Sequence, residues 1–310
     1  MANFRALSLA RSYLDRDAVL RSNPAALREF RAGSLARFLL VHGRGVVGSD
    51  VGPRYFTAAQ LRESFPRAAG DDVVPPYLGH VGELGYFAVD AQSLGATAPG
   101  RASTWELDGM TVEALTLHAH LWGGLDAALA AAAVAIVTNN RTQRFCATCG
   151  ASLTPVDDGF HARCGNGHVV FPRTDPAIIV AITNQADEML LAHNRAWKDG
   201  RYSVLAGFVE SGEPLEAAVR REVGEEVALD VQDMTYVGSQ PWPFPRSLML
   251  AFEARVEATT ADIRVDGNEI ATARFFSRAE YREAVAAGTV GLPTPTSVAA
   301  SLIDAWLRRE

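Results

Sequence analysis

The segment GFVESGEPLEAAVRREVGEEVAL, residues 207–229, constrains this chain more than any other stretch. Glu222, Glu225 and Glu226 are spaced i, i+3 and i+4, so on a helix they fall within about 100° of one face. Carboxylates at that spacing repel by roughly 0.2–0.5 kcal/mol per pair, and a hard divalent cation bound by oxygen is the natural compensation. Magnesium or manganese fits. Gly207 and Gly212 allow a tight loop that brings backbone close to a ligand ahead of the helix, while Arg221 can pair with a carboxylate and hold the face in register. A helix is expected over 213–228. Strands are expected at 177–183, 189–193, 202–205, 234–238, 248–254 and 273–276, with closing helices beyond, which makes this part a mixed α/β domain.

A length of 310 residues allows about two folded domains and a small third. With 48% hydrophobic and 21% charged residues, the composition excludes wholesale disorder and fibrous architectures. The net charge of −7, from 29 Lys and Arg against 36 Asp and Glu, argues against a protein that holds nucleic acid mainly by coating phosphates with cations. That charge is uneven, because residues 210–230 carry seven acidic and two basic side chains. The longest apolar run, 127–137, is well short of the roughly 20 residues that span a bilayer. Arginines interrupt the one apolar patch of the first seventeen residues, which does not read as a secretory signal. A cytoplasmic location without membrane contact is therefore expected.

Residues 1–140 hold strand-like runs at 36–41 and 86–89, punctuated by glycine-rich turns at 43–45 and 82–85, and suggest an α+β domain. Residues 111–139 are rich in Ala and Leu and read as one broken or two consecutive helices, with Gly123 and Gly124 at the break. His118 and His120, two apart, would lie on different helix faces, so packing or surface roles are expected of them. Three cysteines within 19 residues fit a metal cluster better than a disulfide framework. The segment 144–172 that carries them is too small to bury a core of its own and needs a staple. Cys146 and Cys149 form Cys-x2-Cys, and Cys164 follows. A second Cys-x2-Cys is absent, since position 167 is glycine, but His168 can supply the fourth ligand, with His161 as its rival. A closed zinc site of Cys146, Cys149, Cys164 and His168 would be structural.

The glutamate segment resembles the Nudix box, Gly-x5-Glu-x7-Arg-Glu-U-x-Glu-Glu-x-Gly-U with U aliphatic. It matches at Gly207, Glu213, Arg221, Glu222, Val223, Glu225, Glu226 and Leu229. Ala228 stands in place of the last glycine, so a left-handed helix end there would be strained. Ten residues past the box comes SQPWPFPRS, whose three prolines fix the backbone around Trp242 and Phe244 and form a rigid loop able to present aromatic rings. It resembles the Ser-Gln-Pro-Trp-Pro-Phe-Pro-x-Ser motif of the NADH pyrophosphatases, a Nudix family.

That resemblance implies an α+β protein in three parts: an N-terminal α+β domain (1–140), a zinc ribbon (141–173) and a Nudix α/β/α domain with a mixed sheet (174–310). The implied activity is metal-dependent hydrolysis of the pyrophosphate of NADH or NAD to nicotinamide mononucleotide and AMP, together with removal of NAD caps from RNA 5′ ends by a homodimer. Glu222, Glu226, Glu269 and the carbonyl of Ala206 are implied as magnesium or manganese ligands, and Glu225 as the base. Gln240, Pro241, Trp242, Pro243, Phe244, Pro245, Arg246 and Ser247 would line the dinucleotide pocket. Phe171 and Phe208 would sandwich the nicotinamide ring, and Ala299 would make a closing backbone contact. Two other readings stand beside this one. The first is a Nudix hydrolase for ADP-ribose or another nucleoside diphosphate derivative. The second is a non-catalytic nucleotide sensor or zinc-ribbon interaction module, whose expected signature, loss of box carboxylates, is not seen in the sequence.

Overall fold

A computed structural model of the chain describes residues 7–11, 14–65, 74–94, 104–107, 109–156 and 158–309. The N-terminal stretch read above for a signal lies partly outside them. The chain forms two compact units, one of Met1–Ser8, Asp175–Pro241 and Ser247–Glu310, the other of Leu9–Thr174 with Trp242–Arg246. The sequence suggests three parts; here the cysteine segment falls in one unit with the residues before it.

The first unit is built on the strand Asp175–Thr183, which pairs in parallel with Ser247–Arg255 and antiparallel with Leu205–Phe208 and Met189–Asn194. Asp233–Trp242 and Ile270–Phe276 complete a mixed six-stranded sheet. Alternate side chains of a strand point to opposite faces, and this one is buried on both. Ile178, Val180 and Ile182 enter a core with Ala218, Val219, Val223 and Val227 of the helix Leu215–Val227. Ile179 and Ala181 enter the opposite core with Leu302, Ile303 and Trp306 of the helix Val298–Leu307. A sheet covered by helices on both faces is the expected α/β/α arrangement.

One expected strand moves. Leu205–Phe208 pairs with Ala177–Val180, where the sequence suggests 202–205. The ladder runs through Ala206 and Gly207, residue types with little β-propensity, so the pairing partner decides the matter. Arg201 and Ser203 make isolated bridges to Gly291 and Ala192 instead.

In the second unit, Ala36–His42 lies parallel to Leu84–Asp90 at the centre of an eight-stranded sheet whose other pairings are antiparallel. Its side chains also alternate, with Leu39 and Val41 in one core and Phe38 and Leu40 in the other. The helical expectation for 111–139 is corrected at its start. Met110–Ala114 is a strand paired with Gly45–Val47, because a cross-strand partner overrides local alanine content. Helix follows at Leu115–His118 and again at Gly124–Thr142, with Gly123 as the N-cap of the longer one. The alanines of that helix are buried almost all round, which lets it sit close to the sheet. His118 lies 3.2 Å from the buried carboxylate of Glu113.

Candidate functional site

Among the described residues, two side-chain groups are candidates to hold a cation, one in each unit. In the cysteine segment, three short antiparallel strands, Leu153–Pro155, Ala162–Cys164 and Val169–Val170, carry two tight turns at one end. The amide of Gly150 donates to the carbonyl of Cys146 at 2.8 Å, and that of Gly167 to the carbonyl of Cys164 at 2.9 Å. Both glycines have positive φ, which explains why position 167 is not a cysteine. The turns gather the Sγ atoms of Cys146, Cys149 and Cys164 with Nδ1 of His168, all within 4.8 Å of one another. Separations are 3.3 Å for Cys149–His168, 3.5 Å for Cys164–His168, 3.6 Å for Cys146–His168 and 3.7 Å for Cys149–Cys164. The amide of Ala151, then the side chain of Asn166, lowers the Cys149 thiol to about 7, toward the thiolate that binds metals. His161 is occupied elsewhere, 3.4 Å from Asp158 and stacked on Phe171.

The second group lies on and beside the helix Leu215–Val227. The apolar face of this helix includes Val219, Val223 and Val227, and Glu226 follows Val223 by three residues, so it is carried inward at the edge of that face. Glu226 is 6% exposed, and its Oε2 is buried without a hydrogen-bond partner. Desolvation, followed by the charges of Glu222, Glu269, Asp266 and Glu225, pushes it up to about 8. Glu222 is raised too, mainly by burial. An orphaned buried carboxylate oxygen among like charges is what a divalent cation compensates, so these residues fit one. The Cys/His quartet is a set of four whose ligand atoms all lie within 4.8 Å of one another; around Glu226 the charges of Glu222 and Glu269 are felt most.

Arg221 braces this face. Its guanidinium donates from Nε and Nη2 to the two oxygens of Glu213, each at 2.9 Å, the fork geometry that suits a carboxylate. It also meets Glu222 at 2.9 Å and Glu225 at 3.1 Å and donates to the carbonyl of Phe208 at 2.9 Å. Arg221 holds Glu213 below the usual carboxylate range, and Glu213 in turn raises the guanidinium. A Cβ on Gly207 would collide with the Glu222 carboxyl and push it aside, so glycine here lets that carboxyl keep its place. Ala228 caps the helix at φ 57°, ψ 38°, the left-handed position foreseen from the missing box glycine.

The remaining expected residues fall in both units. Ala206 lies in the strand that faces Ile179, and Phe208, 60% exposed, ends it. Gln240 is fully buried, its Nε2 donating to the carbonyl of Thr296 at 3.0 Å. Ala299 is likewise in the core. Trp242 and Phe244 meet edge to face at 4.9 Å and pack, half-buried, against the core of the second unit, so their rings are not simply presented to solvent. Pro243 is buried, Ser247 half-buried, and Pro241, Pro245 and Arg246 are exposed. Phe171, 70% exposed, belongs to the second unit and Phe208 to the first. Sequence reasoning missed Asn194, Arg195 and Asp266, which fix the loop of Glu269. The one signal was an Asp three residues before that glutamate, the spacing of a side-chain-closed turn.

Residues 173–291 match the NUDIX domain family. Among curated proteins, a NAD-capped RNA hydrolase NudC from Mycobacterium bovis is 42% identical over 187 residues, covering 57% of this chain and 59% of that protein. A protein of the same name from Mycobacterium tuberculosis is 41% identical over the same length and the same shares. Another from Pseudomonas aeruginosa is 42% identical over 170 residues, 54% of this chain and 57% of that one. The chain thus spans less than two thirds of the length of these relatives. The stretch that matches the NUDIX domain family carries the glutamate helix. Among the described residues, no helix is long and apolar enough to cross a membrane.

Proposed function

We propose that this chain hydrolyses the pyrophosphate bond of NADH or NAD to nicotinamide mononucleotide and AMP, and removes NAD caps from RNA 5′ ends. The observation that carries the reading is Glu226, a buried carboxylate with an orphaned oxygen on the helix of a NUDIX domain. The name of the curated relatives supports the substrate class.

Glu222, Glu226 and Glu269, with the carbonyl of Ala206, are the groups that would hold magnesium or manganese. Such an ion, when bound, neutralises phosphate charge and acidifies a water. Water attacks one phosphorus, the bridging P–O bond breaks, and the proton goes to a carboxylate. Glu225, exposed and steadied by Arg221, is our candidate for that acceptor. Phe208 and Phe171 offer exposed rings for nicotinamide stacking, and the exposed residues of 241–247 offer dinucleotide contacts. Gln240 would act from inside, by holding the Thr296 backbone.

We assign zinc to Cys146, Cys149, Cys164 and His168. Bond lengths of about 2.3 Å to sulfur and about 2.0–2.1 Å to nitrogen in a tetrahedron require sulfur–sulfur edges of about 3.8 Å and sulfur–nitrogen edges of about 3.5 Å. The four separations of 3.3–3.7 Å suit them, within a set that spans 4.8 Å in all. The further elements of the proposal are a ribbon at 141–173 between domains at 1–140 and 174–310, a homodimer and a cytoplasmic location.

The deciding experiment is a product assay of the full chain on NADH, NAD, ADP-ribose and NAD-capped RNA with magnesium and manganese in parallel. Release of AMP from NADH or NAD is expected. Preferential turnover of ADP-ribose would overturn the substrate assignment, and turnover undiminished by a chelator would overturn the cation assignment.

A further inference from the structure

The loop carrying Glu269 is fixed from two sides. From within, the carboxylate of Asp266 accepts from the amides of Glu269 at 2.9 Å and Ile270 at 2.8 Å, and hydrogen bonds from these amides hold Asp266 below its ordinary range. The amide of Asp266 donates to the carbonyl of Glu226 at 3.3 Å, which ties the loop to the end of the glutamate helix. From outside comes the strand Met189–Asn194. It faces Ile270–Phe276 in register as far as His193 opposite Thr272; Asn194 then lies opposite Ile270, so Ala271 is passed over and the ladder bulges. Bulges re-aim side chains and end pairing next to functional sites.

Beyond the bulge, the amide of Arg195 donates to the carbonyl of Glu269 at 2.9 Å, and its guanidinium donates to the carbonyl of Gly267. Asn194 reaches the side chain itself, with Nδ2 donating to Oε1 of Glu269 at 3.3 Å. Its Oδ1 accepts from the amide of Ala196 at 2.9 Å, and this assigns the orientation of the group: the oxygen is committed to the turn, so the nitrogen faces the glutamate.

We propose that Asn194 is a positioning residue for a cation site, holding one oxygen of the Glu269 carboxylate and leaving the other for the ion. This rests on the reading of Glu269 as a ligand. Glutamate is a flexible side chain, and an exposed one must surrender rotamer freedom to bind; a partner that orders it beforehand converts that cost into affinity.

The test uses the full chain and manganese alone as probe, with free Mn2+ measured by electron paramagnetic resonance. Asn194→Ser keeps an oxygen for the Ala196 amide and is too short to reach Glu269; Asn194→Ala loses both contacts. Each is expected to weaken Mn2+ binding about 10-fold, Asn194→Ser without a change in melting temperature, and to have no further effect in a Glu269→Gln background. If Asn194→Ser binds like wild type while Glu269→Gln is impaired, the positioning role is wrong and the ligand reading stands. The same holds if the double variant shows additive losses. If wild type fails to bind Mn2+, or Glu269→Gln binds like wild type, the ligand reading falls and the positioning role with it.

Discussion

The two cation sites proposed for this chain would be assembled by opposite means. In the cysteine segment, two glycine-assisted turns bring three sulfurs and an imidazole nitrogen within 4.8 Å of one another, which groups that are not all charged tolerate more readily than carboxylates. On the glutamate helix the ligands are ionisable acids that resist such crowding. There the chain provides a frame, with Arg221 braced on Glu213 and Asn194 on Glu269. A closed quartet suits a permanent structural ion, whereas an open, charged set leaves coordination positions for phosphate and water.

The strongest way to break this contrast is Glu226→Gln, which should lower cation-dependent turnover of NADH roughly 1,000-fold while zinc content stays at about one per chain by elemental analysis. The same variant sharpens it through pH. Glu226 is raised from its ordinary 4.5 to about 8, so the metal-free fold holds a proton that the unfolded chain gives up. Its contribution to stability is present below about 4.5 and lost as pH rises through about 8. Urea melts across that window should show the decline, Glu226→Gln should flatten it, and an unchanged slope would count against the buried carboxylate.

Gly207→Ala comes next, since its Cβ would force the Glu222 carboxyl aside. Misplacement on the scale of 1 Å predicts a loss of about 100-fold in kcat/KM with the secondary structure retained by circular dichroism. Cys164→Ser should act in the other unit, leaving well under one zinc per chain and lowering the melting temperature by several degrees. Full zinc in that variant would refute the quartet. The smallest effect is expected of Ala228→Gly. Relief of a left-handed alanine, about 1–2 kcal/mol, less the added unfolded-state entropy of glycine, about 0.4–1 kcal/mol, predicts stabilisation of about 0.5–1 kcal/mol with turnover unaltered.

What could be read from the sequence follows the same divide between local and non-local causes. The glutamate helix, its charge face, the left-handed Ala228 and the nearness of His168 to the cysteines were legible, because each depends on spacing within a few residues. The strand at Met110–Ala114 was not, since its cause is Gly45–Val47, some 65 residues earlier. The burial of Gln240 depends on the carbonyl of Thr296, and the packing of Trp242 and Phe244 on a core from the first half of the chain. Asn194 stayed hidden because a bulge, a property of two paired strands, turns it toward Glu269.

The strand Asp175–Thr183 and its neighbour Met189–Asn194 sort their buried residues by parity. Even numbers, Ile178, Val180, Ile182, Leu190 and Ala192, serve the core under the glutamate helix. Odd numbers, Ile179, Ala181, Met189 and Leu191, serve the core around Trp306. Substitutions on the two faces share few direct partners and should combine almost additively. A protein engineer could therefore redesign the Trp306 side for heat tolerance, position by odd position, without touching the side that holds the carboxylates.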